Sequence, residues 1–230
     1  MSLTIDRTER IERIDPRDTT QLEFARTAPT VVDAARAIPT ATLHEAGGKI
    51  GALPSVIKPV APGFRLCGPA VTVHAPGGDN LWLHRAIYAA QPGDVLVVSV
   101  SDAFEHGYWG EVMSTASQVR GLAGLVIDGC VRDGVLLEEL GFPVFARGLC
   151  IRGTGKDFGA RGWINAPTVL GDVTVHSGDL IVGDGDGVVC IPRDRAGKVV
   201  DAALAREAAE AEQCRRLKAG ETTLDIFGWN

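Results

Sequence analysis

The sequence has no long apolar run, no paired cysteines and no excess of positive charge, and each absence removes a class of function. No stretch reaches the roughly 18 apolar residues that a membrane span needs, so no span is expected. The five cysteines (Cys67, Cys130, Cys150, Cys190, Cys214) are odd in number, widely spaced and contain no Cys-x-x-Cys. That argues against a zinc site and a disulfide framework. Most sit in apolar runs and read as small core residues of a reducing cytoplasm, the expected location. A net charge of −6 argues against a nucleic-acid partner held through phosphates. The first residues, including Asp6, Arg7, Glu9 and Arg10, mix charges around no apolar centre, so a signal peptide is not expected. Neither Gly-x-Ser-x-Gly nor a dinucleotide glycine fingerprint occurs. Gly153-Thr154-Gly155-Lys156 lacks the leading glycine and the following Ser or Thr of a P-loop. Asp184-Gly185-Asp186-Gly187 lacks the later acid of a calcium loop and reads as a hairpin turn.

What is present is a chain of ordinary globular composition, 45% hydrophobic and 23% charged, long enough at 230 residues for a sizeable core. Residues up to about Ala28 are polar and read as an arm or helix outside the core. Thr30 to Ala46 has the spacing of one or two helices broken at Pro39. Alternating strands and helices follow. Val71–Ala75 and Val95–Val100 read as strands, Leu81 opens a helix capped by Asp79 or Asn80, Tyr108–Arg120 reads as a helix and Gly124–Asp128 as a strand. A short helix ends at Gly141, a β-rich section runs from Pro167 to Ile191, and Arg195–Lys218 is one long helix rich in alanine and charge. The order predicts a layered α/β domain with a β-sheet subdomain and a protruding C-terminal helix. The expected division is an N-terminal arm, 1–37, and a single α/β domain, 38–230.

The richest stretch runs from Gly110 to Asp133. Glu111 opens a predicted helix, an apolar strand follows, and the strand ends in Gly129-Cys130-Val131-Arg132-Asp133. One helix plus one strand separate Glu111 from Arg132, so both can lie on one edge of the domain. A cation, two carboxylates and free helix N–H groups would then share a pocket suited to a metal and an anionic oxo acid. Each part has a plainer reading. Arg132-Asp133 alone is a surface ion pair or helix cap, and Glu111 alone complements the helix dipole. His84 reads more simply as structural. His44-Glu45 and the glycine turn Gly77-Gly78-Asp79-Asn80 could face a ligand or simply pack. Most charges of Arg206–Glu212 read as a solvated face, although a helix of this length could lend a carboxylate to a neighbouring subunit.

These residues resemble the family of the regulator of ribonuclease E activity A and, within it, the class II pyruvate aldolases. The resemblance spans about Thr40 to Gly228. It rests on Thr42-Leu43-His44-Glu45-Ala46, Gly78-Asp79-Asn80-Leu81, Pro92-Gly93-Asp94-Val95-Leu96-Val97-Val98, Trp109-Gly110-Glu111, Val126-Ile127-Asp128-Gly129, Val131-Arg132-Asp133, Gly141-Phe142-Pro143-Val144-Phe145 and Asp186-Gly187-Val188-Val189. It implies a swivelling α/β/β/α sandwich assembled as a trimer or a hexamer, with Mg²⁺ or Mn²⁺ as cofactor. It also implies retro-aldol cleavage of 4-carboxy-4-hydroxy-2-oxoadipate or 4-hydroxy-4-methyl-2-oxoglutarate to pyruvate, with oxaloacetate decarboxylation alongside. By the same resemblance Asp133 binds the metal, Arg132 contacts the keto oxygen, and Glu111 positions a water. The backbone N–H groups of Val112 and Met113 hold the pyruvyl carboxylate. Glu207 of an adjacent subunit, with Glu210 as the alternative, completes the outer metal shell. Two departures are visible: some of these aldolases carry Asp in place of Glu111, and Cys150–Lys156 only partly matches the usual Ser-x-x-Gly-Thr-Val-Lys. The rivals are an aldolase for another 2-oxo acid, a non-catalytic protein-binding regulator of ribonuclease, and a methyltransferase. The last lacks a glycine-rich S-adenosylmethionine site here.

Overall fold

The computed structural model describes residues 15, 19–21 and 23–230. The rest of the expected arm, including Asp6 to Arg10, lies outside the described residues. The helices are α1 (Pro29–Ala35), α2 (Thr40–Ala46), α3 (Leu81–Ala89), α4 (Glu111–Val119), α5 (Gly134–Leu140), α6 (Arg193–Lys218) and α7 (Thr223–Phe227). The strands are β1 (Lys58–Pro59), β2 (Leu66–His74), β3 (Val95–Ser99), β4 (Gly124–Ile127), β5 (Cys130–Val131), β6 (Val144–Ala146), β7 (Gly148–Leu149), β8 (Trp163–Ile164), β9 (Thr168–Leu170), β10 (Val173–Val175), β11 (Leu180–Asp184) and β12 (Gly187–Ile191). The main sheet runs β1-β6-β4-β3-β2-β11-β12, with β8 also on β2. β2, β3, β4 and β6 are mutually parallel, whereas β11 and β12 join antiparallel.

The layers follow from the period-2 alternation of each strand. On β3, Leu96 and Val98 face the core under α3–α5, while Val95 and Val97 face the interior between the two halves of the sheet. β4 repeats this, with Leu125 and Ile127 on one side and Val126 on the other. On β11 and β12, Ile181, Val188 and Cys190 point to that same interior, while Leu180, Val182, Val189 and Ile191 pack on α1, α2 and α6. The result is an α/β/β/α sandwich with one apolar core at each of its three layer boundaries. β2 is the corner: Leu66–Pro69 pair with β11 and Ala70–His74 pair with β3. Its outward face changes core accordingly, from Cys67 beneath the α6 layer to Val71 and Val73 beneath the α3 layer.

Three features differ from the expectations. The β-rich section makes no sheet of its own, because β11 and β12 find the open edge of β2, leaving β9 and β10 as a two-stranded ribbon. The helix expected from Tyr108 begins only at Glu111, since Tyr108 N–H bonds Cys130 O and Trp109 O accepts from Arg132 N–H, which keeps that segment extended. Pro29–Ala35 is helical, as the spacing from Thr30 predicts, but although it falls inside the expected 1–37 arm it buries Val32 and Ala35 in the α6-side core. α6 runs about 39 Å at 1.5 Å per residue. Its buried residues end at Ala203, so its second half stands clear of the sandwich. Among the described residues no helix is long and apolar enough to cross a membrane.

Candidate active site

A cleft of about 290 Å³ opens beyond the carboxyl ends of the parallel strands, where open α/β sheets place their ligands. Two glycines build its charged wall. A Cβ on Gly107 would lie 2.5 Å from Cys150 O and 3.1 Å from Arg132 Cβ, so glycine there lets the arginine lie flat across the backbone. A Cβ on Gly110 would lie 2.2 Å from Asp133 Oδ2. Gly110 is fully extended (φ −165°), so space, not backbone freedom, demands glycine. Asp133 is held left-handed at φ 62° as the residue preceding α5, which turns its carboxylate toward the start of α4. There Asp133 Oδ2 accepts the Glu111 N–H at 3.2 Å, with Arg132 Nε 3.7 Å away. Val112 and Met113, the second and third residues of α4, have N–H groups that precede the first intrahelical acceptor. The helix dipole adds partial positive charge at that point.

The opposite wall is made by two glycine segments stitched together. Gly155 N–H bonds Gly78 O at 2.7 Å, and Asn80 N–H bonds Gly155 O at 3.3 Å. Buried Asp79 secures the stitch: Oδ1 accepts Leu81 N–H at the start of α3, and Oδ2 accepts Asp157 N–H. This brings Thr154 and Lys156 to the cleft beside His84. Burial, and then the nearby Lys156 charge, push the His84 pKa down, so His84 is neutral near pH 7 while Lys156 supplies charge. Tyr108 is pinned by its hydroxyl, which donates to Ala103 O and accepts Gly78 N–H, both at 2.7 Å. Asn80 donates from Nδ2 to Tyr108 O, and its Oδ1 is buried with no partner among the described residues.

Arg132, Asp133, Val112 and Met113 therefore line one cleft. Glu111 opens α4 beside them, but its exposed side chain is not part of the lining. Glu207 lies on α6 in the outer layer opposite α4, half-buried, and Glu210 one turn on pairs with Arg206 at 2.8 Å. His44 lies in a different depression, beside Thr40 and Val189. Sequence reasoning gave Tyr108 no role beyond a helix start, set Thr154 and Lys156 aside as a rejected P-loop fragment, read His84 as structural and left Asn80 undecided. The glycine turn ahead of α3 was the one available signal, because the stitch from Gly78 to Gly155 joins segments more than seventy residues apart.

A profile of the RraA-like family, described as Aldolase/RraA, matches residues 28–190. The chain belongs to the Aldolase/RraA family. A protein of Halalkalibacterium halodurans, provisionally named 4-hydroxy-4-methyl-2-oxoglutarate aldolase, is 36% identical over 182 residues, covering 79% of this chain and 86% of its own. An uncharacterized protein of Pseudomonas syringae superposes with a TM-score of 0.76 at 31% identity, over 87% of this chain and 93% of that one. Streptomyces coelicolor RraAS2, described as an unusual member of the RNase ES inhibitor RraA protein family, gives 0.71 at 29% identity over 83% and 100%. The Aldolase/RraA family thus includes proteins named for catalysis and proteins named for inhibiting a ribonuclease.

The donor set at the cleft bears on a metal. No group of three or more His, Cys, Asp or Glu that could hold an ion lies among the described residues. A hard divalent cation such as Mg²⁺ keeps several waters and needs only one or two carboxylates plus ligand oxygens. Asp133 fits that pattern: one oxygen is fixed by the Glu111 N–H, and the cleft beside it has room for a chelating acid.

Proposed function

We propose that this protein is a divalent-metal-dependent pyruvate aldolase. It would cleave 4-carboxy-4-hydroxy-2-oxoadipate or 4-hydroxy-4-methyl-2-oxoglutarate to pyruvate and a second oxo acid, and decarboxylate oxaloacetate as a side reaction. The observation that carries the reading is the convergence of Arg132, Asp133 and the open start of α4 on one cleft, with Gly107 and Gly110 making room for the two side chains. Mg²⁺ or Mn²⁺, held by Asp133 partly through waters, would supply Lewis-acid polarisation of the 2-oxo group. The Val112 and Met113 N–H groups bind the pyruvyl carboxylate, as helix starts bind anions. Loss of the C4 hydroxyl proton to water drives cleavage of the C3–C4 bond. The electron pair is left as pyruvate enolate, whose oxygen Arg132 neutralises. Glu111 orients the water that protonates C3. Loss of CO₂ from oxaloacetate leaves the same enolate, so one site serves both reactions.

A homo-oligomer, trimer or hexamer, belongs to this reading. Glu207 begins the part of α6 that stands clear of its own sandwich, so Glu207 of the partner subunit, or Glu210 beside it, is suited to complete the outer metal shell. The expected location remains the cytoplasm.

The test is pyruvate release from oxaloacetate and from both aldol substrates, with Mg²⁺ or Mn²⁺ and with EDTA. Metal-dependent release that is lost in Asp133→Ala supports the reading, and the relative rates rank the substrates. Full turnover by folded Asp133→Ala removes the metal assignment. The likeness to the RNase ES inhibitor family favours a second reading, a protein-binding regulator. Capture of a ribonuclease by a protein inert on every 2-oxo acid would favour it.

A further inference from the structure

Facing the Arg132 wall of the cleft is a strap, residues 150–162, that forms neither helix nor strand between β7 and β8. Connections of this length without secondary structure are uncommon in compact domains and usually serve function. Side-chain packing does not place its middle. A Cβ on Gly153 would meet nothing within 4 Å, and on Gly155 the nearest atom would be Asp79 Oδ2 at 3.6 Å. Lys156 and Asp157 beside them are exposed. The strap hangs instead on hydrogen bonds. The Gly107 N–H holds Arg152 O at 2.8 Å, and Trp82 Nε1 holds Ala160 O at 3.1 Å. Between those ends come the paired backbones of Gly78 and Gly155, and then Asp79, whose Oδ2 accepts the Asp157 N–H. Asp79 is 5% exposed, and its other oxygen is taken by the Leu81 N–H. A hydrogen bond to a buried, charged acceptor is the strong kind, so Asp79 is the firmest of these fastenings.

The strap brings to the cleft a chemistry that the facing wall lacks. Among the described residues, Asp133 is the one carboxylate lining the cleft, and it stands on the far side with Arg132 Nε 3.7 Å away. The near side presents Thr154, Lys156 and His84. No hydrogen bond or ion pair among the described residues engages Thr154 Oγ1 or Lys156 Nζ. His84 is neutral near pH 7, so the Lys156 charge stands uncancelled on that wall. A ligand end that reaches it meets a hydroxyl and a positive charge. A methyl group leaves that charge unanswered, whereas a carboxylate answers it.

We propose that Asp79 is a positioning residue: by holding the strap it keeps Lys156 at the cleft, where Lys156 pairs with the substrate carboxylate remote from the 2-oxo group and so determines specificity. The inference rests on the aldolase reading above. There the 2-oxo acid end is fixed at Arg132, Asp133 and the start of α4, and the rest of the substrate extends across the cleft to the strap. The two cations divide the work by their chemistry. The planar guanidinium of Arg132 serves the end whose position is fixed, and the flexible stem of Lys156 follows a carboxylate whose position varies with the substrate.

The experiment is isothermal titration of the full chain, with Mg²⁺, using 2-oxoglutarate and 2-oxopentanoate. The two acids differ only at C5, a carboxylate in one and a methyl in the other, and neither has the C4 hydroxyl that cleavage needs. Wild type should bind 2-oxoglutarate about tenfold more tightly, the scale of one charge-assisted hydrogen bond. Lys156→Met changes an exposed side chain and should erase most of that preference while leaving 2-oxopentanoate binding unchanged. Asp79→Ser keeps a hydroxyl able to accept the Leu81 N–H but has no second oxygen for Asp157, and should erase the preference likewise. The His84 pKa, followed by NMR, separates release of the strap from simple loss of a charge. Burial and Lys156 lower it, and Asp79 raises it. Losing the Asp79 charge alone moves it down, whereas a strap that leaves with Lys156 and uncovers the ring moves it up. The upward shift is expected in Asp79→Ser, and a downward or absent shift overturns the positioning role. Equal binding of the two acids by wild type, or a preference that survives Lys156→Met, overturns the specificity role, and that variant carries the test should Asp79→Ser not fold. Wild type that binds neither acid defeats the aldolase reading itself, so the two failures are distinguishable.

Discussion

Two regions of the sandwich use the same residue type in opposite ways. In the hairpin half, buried carboxylates have both oxygens engaged. Asp184 accepts Thr40 N–H at 2.9 Å, Thr40 Oγ1–H at 2.7 Å and Asp186 N–H at 3.0 Å, while Asp179 accepts the His176 and Arg193 N–H groups. At the carboxyl edge of the parallel half, Asp133 accepts one N–H from Glu111 and faces Arg132 in an ion pair whose side chains are 34% and 52% exposed. An ion pair that open is worth about 0–1 kcal/mol, so it does little for the fold. A carboxylate with both oxygens engaged holds elements together, whereas one with an oxygen to spare can take a ligand.

The contrast can be broken by exchanging what each region loses. The largest effect is expected at the edge: Arg132→Ala or Asp133→Ala should lower pyruvate release about 10²–10³-fold while leaving the thermal midpoint unmoved. A fall in midpoint that accounts for the lost activity would make the pair structural. Gly110→Ala comes next, since its Cβ would displace the Asp133 carboxylate. A misplacement near 1 Å can cost about 10² in rate, here with about 1–3 kcal/mol of overpacking, both readable from kinetics and denaturant melts on one preparation. Wild-type turnover in Gly110→Ala would show that the Asp133 position is not critical.

Asp184→Ala should do the reverse, costing about 1–3 kcal/mol of stability with normal activity per folded molecule. Burial tends to raise the Asp184 pKa, but the hydrogen bonds from Thr40 and Asp186 outweigh it, and the net shift is downward. A carboxyl group depressed in the folded state stabilises fully above its unfolded pKa, about 3.9. That contribution is lost as pH falls through the lower folded value. Urea melts across this acid range should therefore show a steeper loss in wild type than in Asp184→Ala; parallel curves would contradict the assignment. The smallest effect is at the exposed Lys49–Glu45 pair, 3.6 Å apart, where Lys49→Ala should change stability by under about 0.5 kcal/mol and activity not at all.

The sequence made the strand and helix succession from Val71 to Ala146 readable, because each strand is a short apolar run with a glycine or proline turn at one end or the other. It also pointed to the edge where Arg132 and Asp133 stand, through chain direction alone. The corner at β2 was not readable: Leu66–Val73 is buried throughout, and a strand buried on both faces does not reveal which core each face enters. Lys156 and Tyr108 were hidden for a different reason. Their place in the cleft depends on the Gly78–Gly155 stitch and on the Tyr108 hydroxyl bridging Ala103 and Gly78, contacts that no local pattern encodes. The role of Asp184 was equally silent, since its partner Thr40 is 144 residues away.

The divided pairing of β2 also orders events during synthesis. Everything needed for the parallel block, β2 through β6, has left the ribosome by about Ala146, but the partner for Leu66–Pro69 arrives only with β11 at Leu180–Asp184. Contacts of such long sequence separation form slowly. Until they do, the first half of β2 is an open strand edge beside unburied apolar side chains, the kind of surface that aggregates or recruits chaperones. A pause in translation between Ala146 and Leu180 would prolong that exposure, and the yield of folded protein should be most sensitive to elongation rate over that interval.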